Sequence, residues 1–220
     1  MLEMETPNKK VPEISVVVLC YREGLRVRDF NAKLAQFLSQ AGLDYEIILV
    51  GNYFPNTGDE TPRVVKELAQ NNQRIRAVTL EKPKVGMMGW DVRSGLKEAR
   101  GRTIAFIDGD GQMPIEDIVS IYKKLRADKL DLCKTARKAR EDSFGRKIIS
   151  RIYNIIFKIL FWGIADKDIN SKPKIFTREA YEKLDLRSND WFLDAEIMIK
   201  AKKLGLKCGW IPTIFRKNQN

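Results

Sequence analysis

Two aspartates one residue apart close an apolar run in Ile104-Ala-Phe-Ile-Asp108-Gly-Asp110-Gly-Gln112-Met-Pro114. An apolar strand here delivers both carboxylates to its C-terminal end, and Gly109 lets the backbone turn tightly between them. Asp108, Asp110 and Gln112 then offer oxygen ligands from one compact loop. Hard divalent cations such as Mg²⁺ or Mn²⁺ select oxygen, and they commonly complete their octahedron with substrate phosphates. The bland alternative is a glycine-rich surface turn whose acceptors cap the next helix. Asp-x-Asp alone does not separate the two. Its place at a strand end favours the metal.

A second stretch is basic. Between Lys134 and Lys158 stand eight Lys or Arg residues, Arg137, Arg140 and Arg151 among them, against Glu141 and Asp142. A charge run of this kind is usually a solvated face. Here it interleaves with Ile148, Ile149, Ile152, Ile155, Ile156, Phe157, Ile159, Leu160, Phe161 and Trp162, while Lys147, Arg151, Asn154 and Lys158 form one narrow polar stripe. A basic stripe on a wide apolar face suits a helix in a membrane interface, and a core helix with one wet edge fits nearly as well.

Composition narrows the partners. With 40 Lys+Arg against 29 Asp+Glu the chain carries +11, which favours anionic partners: nucleic acid, phosphorylated metabolites or an acidic lipid surface. Nucleic acid is disfavoured, since the basic residues alternate with aliphatics and not with stacking aromatics. The absence of histidine removes His-ligated zinc and any Ser-His or Cys-His nucleophile. Cys20, Cys133 and Cys208, odd in number and far apart, read as reduced, buried thiols of a cytosolic chain. The polar start lacks a secretion signal, and no apolar run approaches the ~20 residues of a membrane span, so a soluble or peripheral protein is expected.

The elements that must position these residues alternate. Strand-like runs at 14–20, 45–50, 75–80, 103–107 and 130–134 are separated by helical periodicity at 25–40, 61–70, 90–100 and from Pro114 to about 127. That pattern predicts βαβ units: an α/β fold with a mostly parallel sheet, helices on both faces and a ligand crevice at the strand C-termini. One domain over residues 1–220 is expected, with a polar tail at 1–12 and a basic, apolar segment at 134–165.

With Asp108-x-Asp110-x-Gln112-x-Pro114 at such a strand end, residues 13–215 resemble the family 2 glycosyltransferases of GT-A (Rossmann-like) fold, nearest the dolichol- or polyprenyl-phosphate mannosyl- and glucosyltransferases. The resemblance implies that Asp108, Asp110 and Gln112 surround a Mg²⁺ or Mn²⁺ ion holding a GDP- or UDP-hexose. It also implies nucleotide contacts from Tyr21 and Glu23, from Asp59 of Asp59-Glu-Thr61, and from Gly89 of a Gly-rich helix start. The family's second strand ends in Asp-Asp-Gly-Ser, whereas this chain has Gly51-Asn52, an amide where a carboxylate helps hold the base. Asp168-Ile-Asn-Ser171-Lys-Pro-Lys174-Ile-Phe176 matches a family motif in which Gly-Phe has become Lys172-Pro173. Asp194 and Glu196 fall on the family's acceptor-side helix, although Glu196 also suits a plain i,i+4 pair with Lys200.

The implied activity is inverting hexose transfer from a nucleotide sugar to a lipid phosphate, by a protein that is cytoplasmic or peripheral on the cytoplasmic face of an anionic membrane. The alternatives are a glycan or other hydroxyl acceptor, and a noncatalytic sugar-nucleotide binder. Transfer to an alcohol needs a general base, for which Asp166, Asp168, Asp194 and Glu196 are the late candidates. A phosphate monoester needs cations instead, so Arg137, Arg140, Arg151 and Lys174 are expected to outweigh any one of those carboxylates.

Overall fold

A computed structural model describes residues 11–84, 86–139 and 168–216. Seven strands form one sheet: β1 (Ile14–Leu19), β2 (Tyr45–Val50), β3 (Ile75–Val78), β4 (Thr103–Asp108), β5 (Leu132–Ala139), β6 (Lys174–Thr177) and β7 (Cys208–Ile214). Their spatial order is β3-β2-β1-β4-β6-β5-β7. β1 to β4 run parallel, β6 is antiparallel to both neighbours, and β5 pairs in parallel with β7. The helices are α1 (Arg26–Gln40), α2 (Thr61–Asn71), α3 (Met88–Glu98), α4 (Glu116–Ala127), α5 (Arg178–Leu184) and α6 (Leu193–Lys203).

β1 shows why the sheet must be covered twice. All six of its residues are buried. Val16 and Val18 join a core built with Phe30, Leu34, Val64, Val65, Ile118 and Ile121, from α1, α2 and α4. Val17 and Leu19 face the opposite core with Val92, Leu96, Ala180, Leu193 and Ile197, from α3, α5 and α6. The side-chain period of two thus feeds both layers, and an unbroken β-branched run is what such a strand needs.

Four sequence expectations shift. Pro114 precedes α4 and does not open it, since the helix begins at Glu116. α3 starts at Met88, two residues before the expected Trp90. β5 continues past the expected end at Lys134 to Ala139 because β7 supplies a partner along its length, so Arg137 also belongs to the strand. Cys208 is exposed on edge strand β7, whereas Cys20 and Cys133 are buried as expected. Arg140, Arg151 and the apolar stretch around Phe161 and Trp162 lie outside the described residues. Among the described residues no helix is long and apolar enough to cross a membrane.

Candidate active site

The C-terminal ends of β1 and β4 lie side by side, with Leu19 in register with Asp108. Gly109 turns the chain against β1, its N–H donating to the Leu19 carbonyl at 2.8 Å. A Cβ at this position would stand 2.9 Å from that carbonyl oxygen, so glycine is required by the close approach. Asp110 follows, with Oδ1 accepting from the Gln112 backbone N–H at 3.0 Å. Burial, reinforced by the neighbouring Asp108 charge, raises the Asp110 carboxyl above its usual range. Both aspartates line a cleft of about 320 Å³ together with Tyr21, Glu23, Phe54, Lys82, Asp91, Lys172 and Trp191.

The donor set fits a hard divalent cation. It is all oxygen, and a desolvated carboxylate with a raised pKa gains from a nearby positive charge. No cluster of three or more acidic, His or Cys ligands exists among the described residues. A cation here would therefore draw its remaining ligands from bound phosphate or water.

One wall of the cleft is a buried polar cluster. Asn52, 1% exposed, donates from Nδ2 to Asp91 and to Ser94, both at 2.9 Å, while its Oδ1 accepts from the Leu80 N–H at 2.8 Å. Its hydrogen-bonding atoms are thus engaged within the protein. Asp91 also accepts from Lys82 Nζ at 2.5 Å, and burial raises the Asp91 carboxyl despite that partner. The same ammonium lies 4.6 Å from the Tyr21 ring centre and 5.5 Å from that of Phe54. Lys82, Phe54, Asp91 and Trp191 were not singled out from the sequence. The legible signal was an acid in the first turn of α3 and a lysine shortly beyond β3.

Two residues expected at the nucleotide, Asp59 and Gly89, also make contacts that hold the fold together. Asp59 Oδ1 accepts from the Thr61 N–H and hydroxyl at 2.9 and 2.6 Å, and the Thr61 oxygen accepts from the Gly24 N–H at 2.8 Å. Asp59 therefore ties the start of α2 to the loop after β1. Gly89 is buried against the segment before α6, where a Cβ would meet the Asp190 and Ser188 carbonyls at 2.5 and 2.7 Å. Tyr21 and Glu23 do line the cleft.

Beneath the aspartates lies a buried ion network. Lys172 Nζ stands 3.2 Å from Asp108 Oδ2 and 3.6 Å from Asp194 Oδ2. Lys174, fully buried, pairs with the other Asp194 oxygen and donates to the Ser171 carbonyl at 2.8 Å. Burial pushes the Asp194 carboxyl up, but Lys174 and Lys172 outweigh it and hold it below the usual carboxylate range. Burial alone would lower the Lys172 ammonium, yet Asp108 and Asp194 raise it, so it stays charged. Lys174 is thereby a buried partner of Asp194.

The remaining late residues are paired too. Arg137 grips Asp168 through Nε and a terminal nitrogen, both at 2.5 Å, and its guanidinium lies 5.4 Å from the Phe215 ring centre. Burial raises the Asp168 carboxyl, but the Arg137 fork more than reverses this. Asp168 thus fixes the orientation of the Arg137 guanidinium through Nε and one terminal nitrogen. Glu196 accepts from the Arg187 and Ser188 N–H groups at 2.9 and 2.8 Å and pairs with Lys200 at 2.6 Å. Burial is again outweighed, and the Glu196 carboxyl falls below its usual range.

The site is thus an acidic loop at the end of a parallel strand of an α/β sheet, facing an aromatic and lysine-lined cleft. The chain belongs to Glycosyl transferase family 2, which matches residues 15–185. It is similar to Glycosyltransferase AglD of Haloferax volcanii, 27% identical over 210 residues, covering 91% of this chain and 32% of AglD. It is also similar to a Dolichyl-phosphate beta-glucosyltransferase of Drosophila melanogaster, 27% identical over 211 residues, covering 88% of this chain and 64% of that one. The chain thus spans about a third of the first relative and under two thirds of the second. In fold it resembles glucosyl-3-phosphoglycerate synthase of Mycobacterium tuberculosis, solved with Mn²⁺, UDP-glucose and phosphoglyceric acid. The TM-score is 0.69 at 15% identity, over 95% of this chain and 72% of that one.

Proposed function

We propose that this chain transfers a hexose, with inversion, from a nucleotide sugar to a polyprenyl phosphate at an anionic membrane surface. One observation carries the acceptor class: of the late carboxylates, Asp166 lies outside the described residues, and the three described ones, Asp168, Asp194 and Glu196, are each held by cations or backbone amides, with pKa values below the usual range. A carboxylate so held is a poor proton acceptor. A phosphate monoester needs none, because its second pKa near 6 leaves it largely dianionic at pH 7. Its oxygen attacks the anomeric carbon opposite the leaving group as the bond to the diphosphate breaks, and those electrons go to the diphosphate oxygen. The names of the relatives, one of them a dolichyl-phosphate glucosyltransferase, support the same acceptor.

Asp108, Asp110 and Gln112 would hold Mg²⁺ or Mn²⁺, which supplies positive charge to the diphosphate. Tyr21 and Phe54, whose ring centres lie 4.6 and 5.5 Å from Lys82 Nζ, form the wall against which the nucleotide packs, and the buried Lys82–Asp91 pair braces that wall. Glu23 and Trp191 border the same space.

The test is a panel of UDP- and GDP-sugars offered with polyprenyl phosphate or with polyprenol, with Mn²⁺ or EDTA. Transfer to the phosphate and not to the alcohol is expected, and Asp110→Ala should lose metal-dependent donor binding. Equal use of polyprenol would favour a hydroxyl acceptor. Full activity of Asp110→Ala would remove the metal assignment.

A further inference from the structure

Lys172 occupies the position where a paired-aspartate loop needs positive charge. Its ammonium lies 3.2 Å from Asp108, its side chain is 9% exposed, and it borders the same cleft as Asp108, Asp110, Tyr21 and Glu23. An ammonium has three N–H donors; Asp108 and Asp194 engage it from two sides, which leaves one for an anion in the cleft. Lys174 separately pairs with Asp194, so the Lys172 charge is not consumed by that carboxylate alone. Two carboxylates facing a diphosphate would repel it unless a cation stands with them, and this chain carries one covalently.

We propose that Lys172 is a resident cation of the diphosphate subsite: it holds Asp108 without metal and donates to the donor's diphosphate. Nucleoside-diphosphate binding then survives in part when divalent ions are removed. The inference rests on the donor-site reading above. It has a second consequence that needs no nucleotide. Because the ammonium competes for Asp108, Mn²⁺ alone binds weakly, and removing the ammonium tightens it. A lysine that merely braced α6 against β4 would change the melting temperature and neither affinity.

Titration calorimetry with UDP and with GDP, in Mn²⁺ and in EDTA, tests this on wild type, Lys172→Met and Lys172→Arg. Electron paramagnetic resonance of Mn²⁺ without nucleotide is the companion measurement. Wild type should retain measurable binding of one nucleotide in EDTA, and Lys172→Met should lose about tenfold or more of it, the size of one charge-assisted hydrogen bond. Lys172→Met should bind free Mn²⁺ several-fold more tightly, and Lys172→Arg should keep part of the EDTA binding. Complete loss of wild-type nucleotide binding in EDTA, or a Lys172→Met protein that matches wild type in both affinities, would overturn the proposal. Should Lys172→Met fail to fold, the wild-type EDTA arm and the arginine variant decide. If neither nucleotide binds even with Mn²⁺, the donor reading fails, and the Mn²⁺-only measurement still decides the lysine.

Discussion

At the scale of single residues, buried charges in this protein are compensated pair by pair. Asp194 is the plainest case: at 2% exposure it is tolerable only because Lys172 and Lys174 flank it. Removing one partner of a buried ion pair strands the other, at a cost of about 3–5 kcal/mol. Asp194→Asn should therefore lower the melting temperature sharply, and differential scanning calorimetry reads it directly. The pH dependence has a definite sign. A carboxyl whose folded pKa lies below its unfolded value, about 3.9, contributes stability that is complete above that value. That contribution is lost as pH falls through the folded pKa. Wild type should thus lose stability below about pH 4, and Asp194→Asn should show a shallower acid limb. Equal acid limbs would mean that Asp194 is not the group whose charge is stabilised. Lost turnover in a fully folded Asp194→Asn protein would restore it as a candidate base.

At the scale of elements, the loop from Leu184 to α6 works as a clip on the start of α3. Glu196, in the first turn of α6, holds the Arg187 and Ser188 amides, and the Asn189 carbonyl in turn accepts from the Met87 and Trp90 N–H groups, both at 3.0 Å. This contact is close enough to require Gly89. Gly89→Ala should cost about 1–3 kcal/mol through overpacking and weaken donor binding by shifting Met88 and Asp91, which line the cleft. Amide hydrogen exchange at Trp90 and Ser188 should quicken in the variant; unchanged protection and donor affinity would exclude the clip. The same elements show what could be read from the sequence. The parallel half was legible because buried strands read as β-branched runs and β4 carried its two aspartates to its end. The antiparallel β6 and the edge strand β7 were not, since four residues of β6 and the half-exposed β7 leave no periodic signal. At the site, Asp108, Asp110, Tyr21 and Glu23 were found from spacing or resemblance. The partners of Asn52, Arg137 and Lys174 were not, because Asp91, Asp168 and Asp194 reach them from 20 to 39 residues away. Lys172 was visible only as a departure from the family's glycine.

At the scale of the whole molecule, +11 is too large a charge to be incidental to a protein whose proposed substrates are both anionic. Much of the described surface charge is already paired, as in Arg28 and Arg63 with Glu67, or Lys124 with Asp128. Exposed pairs of this kind add little stability, and they also cancel locally in the long-range field. The excess that remains should draw the chain toward a negative surface. Its range is set by screening, with a Debye length of about 10 Å at 0.1 M salt and about 3 Å at 1 M. The protein should therefore sediment with vesicles containing phosphatidylserine at low salt, and with few or none of them at about 1 M. Vesicles of phosphatidylcholine alone separate charge from apolar insertion. Electrostatic attraction without insertion predicts no binding to neutral vesicles at any salt. If the segment carrying Phe161 and Trp162 enters the interface, replacing both with serine should weaken binding to the anionic vesicles while UDP or GDP affinity is unchanged. A wild-type protein that ignores phosphatidylserine vesicles at low salt would end the membrane reading, leaving a soluble phosphorylated acceptor as the anion that the charge recruits.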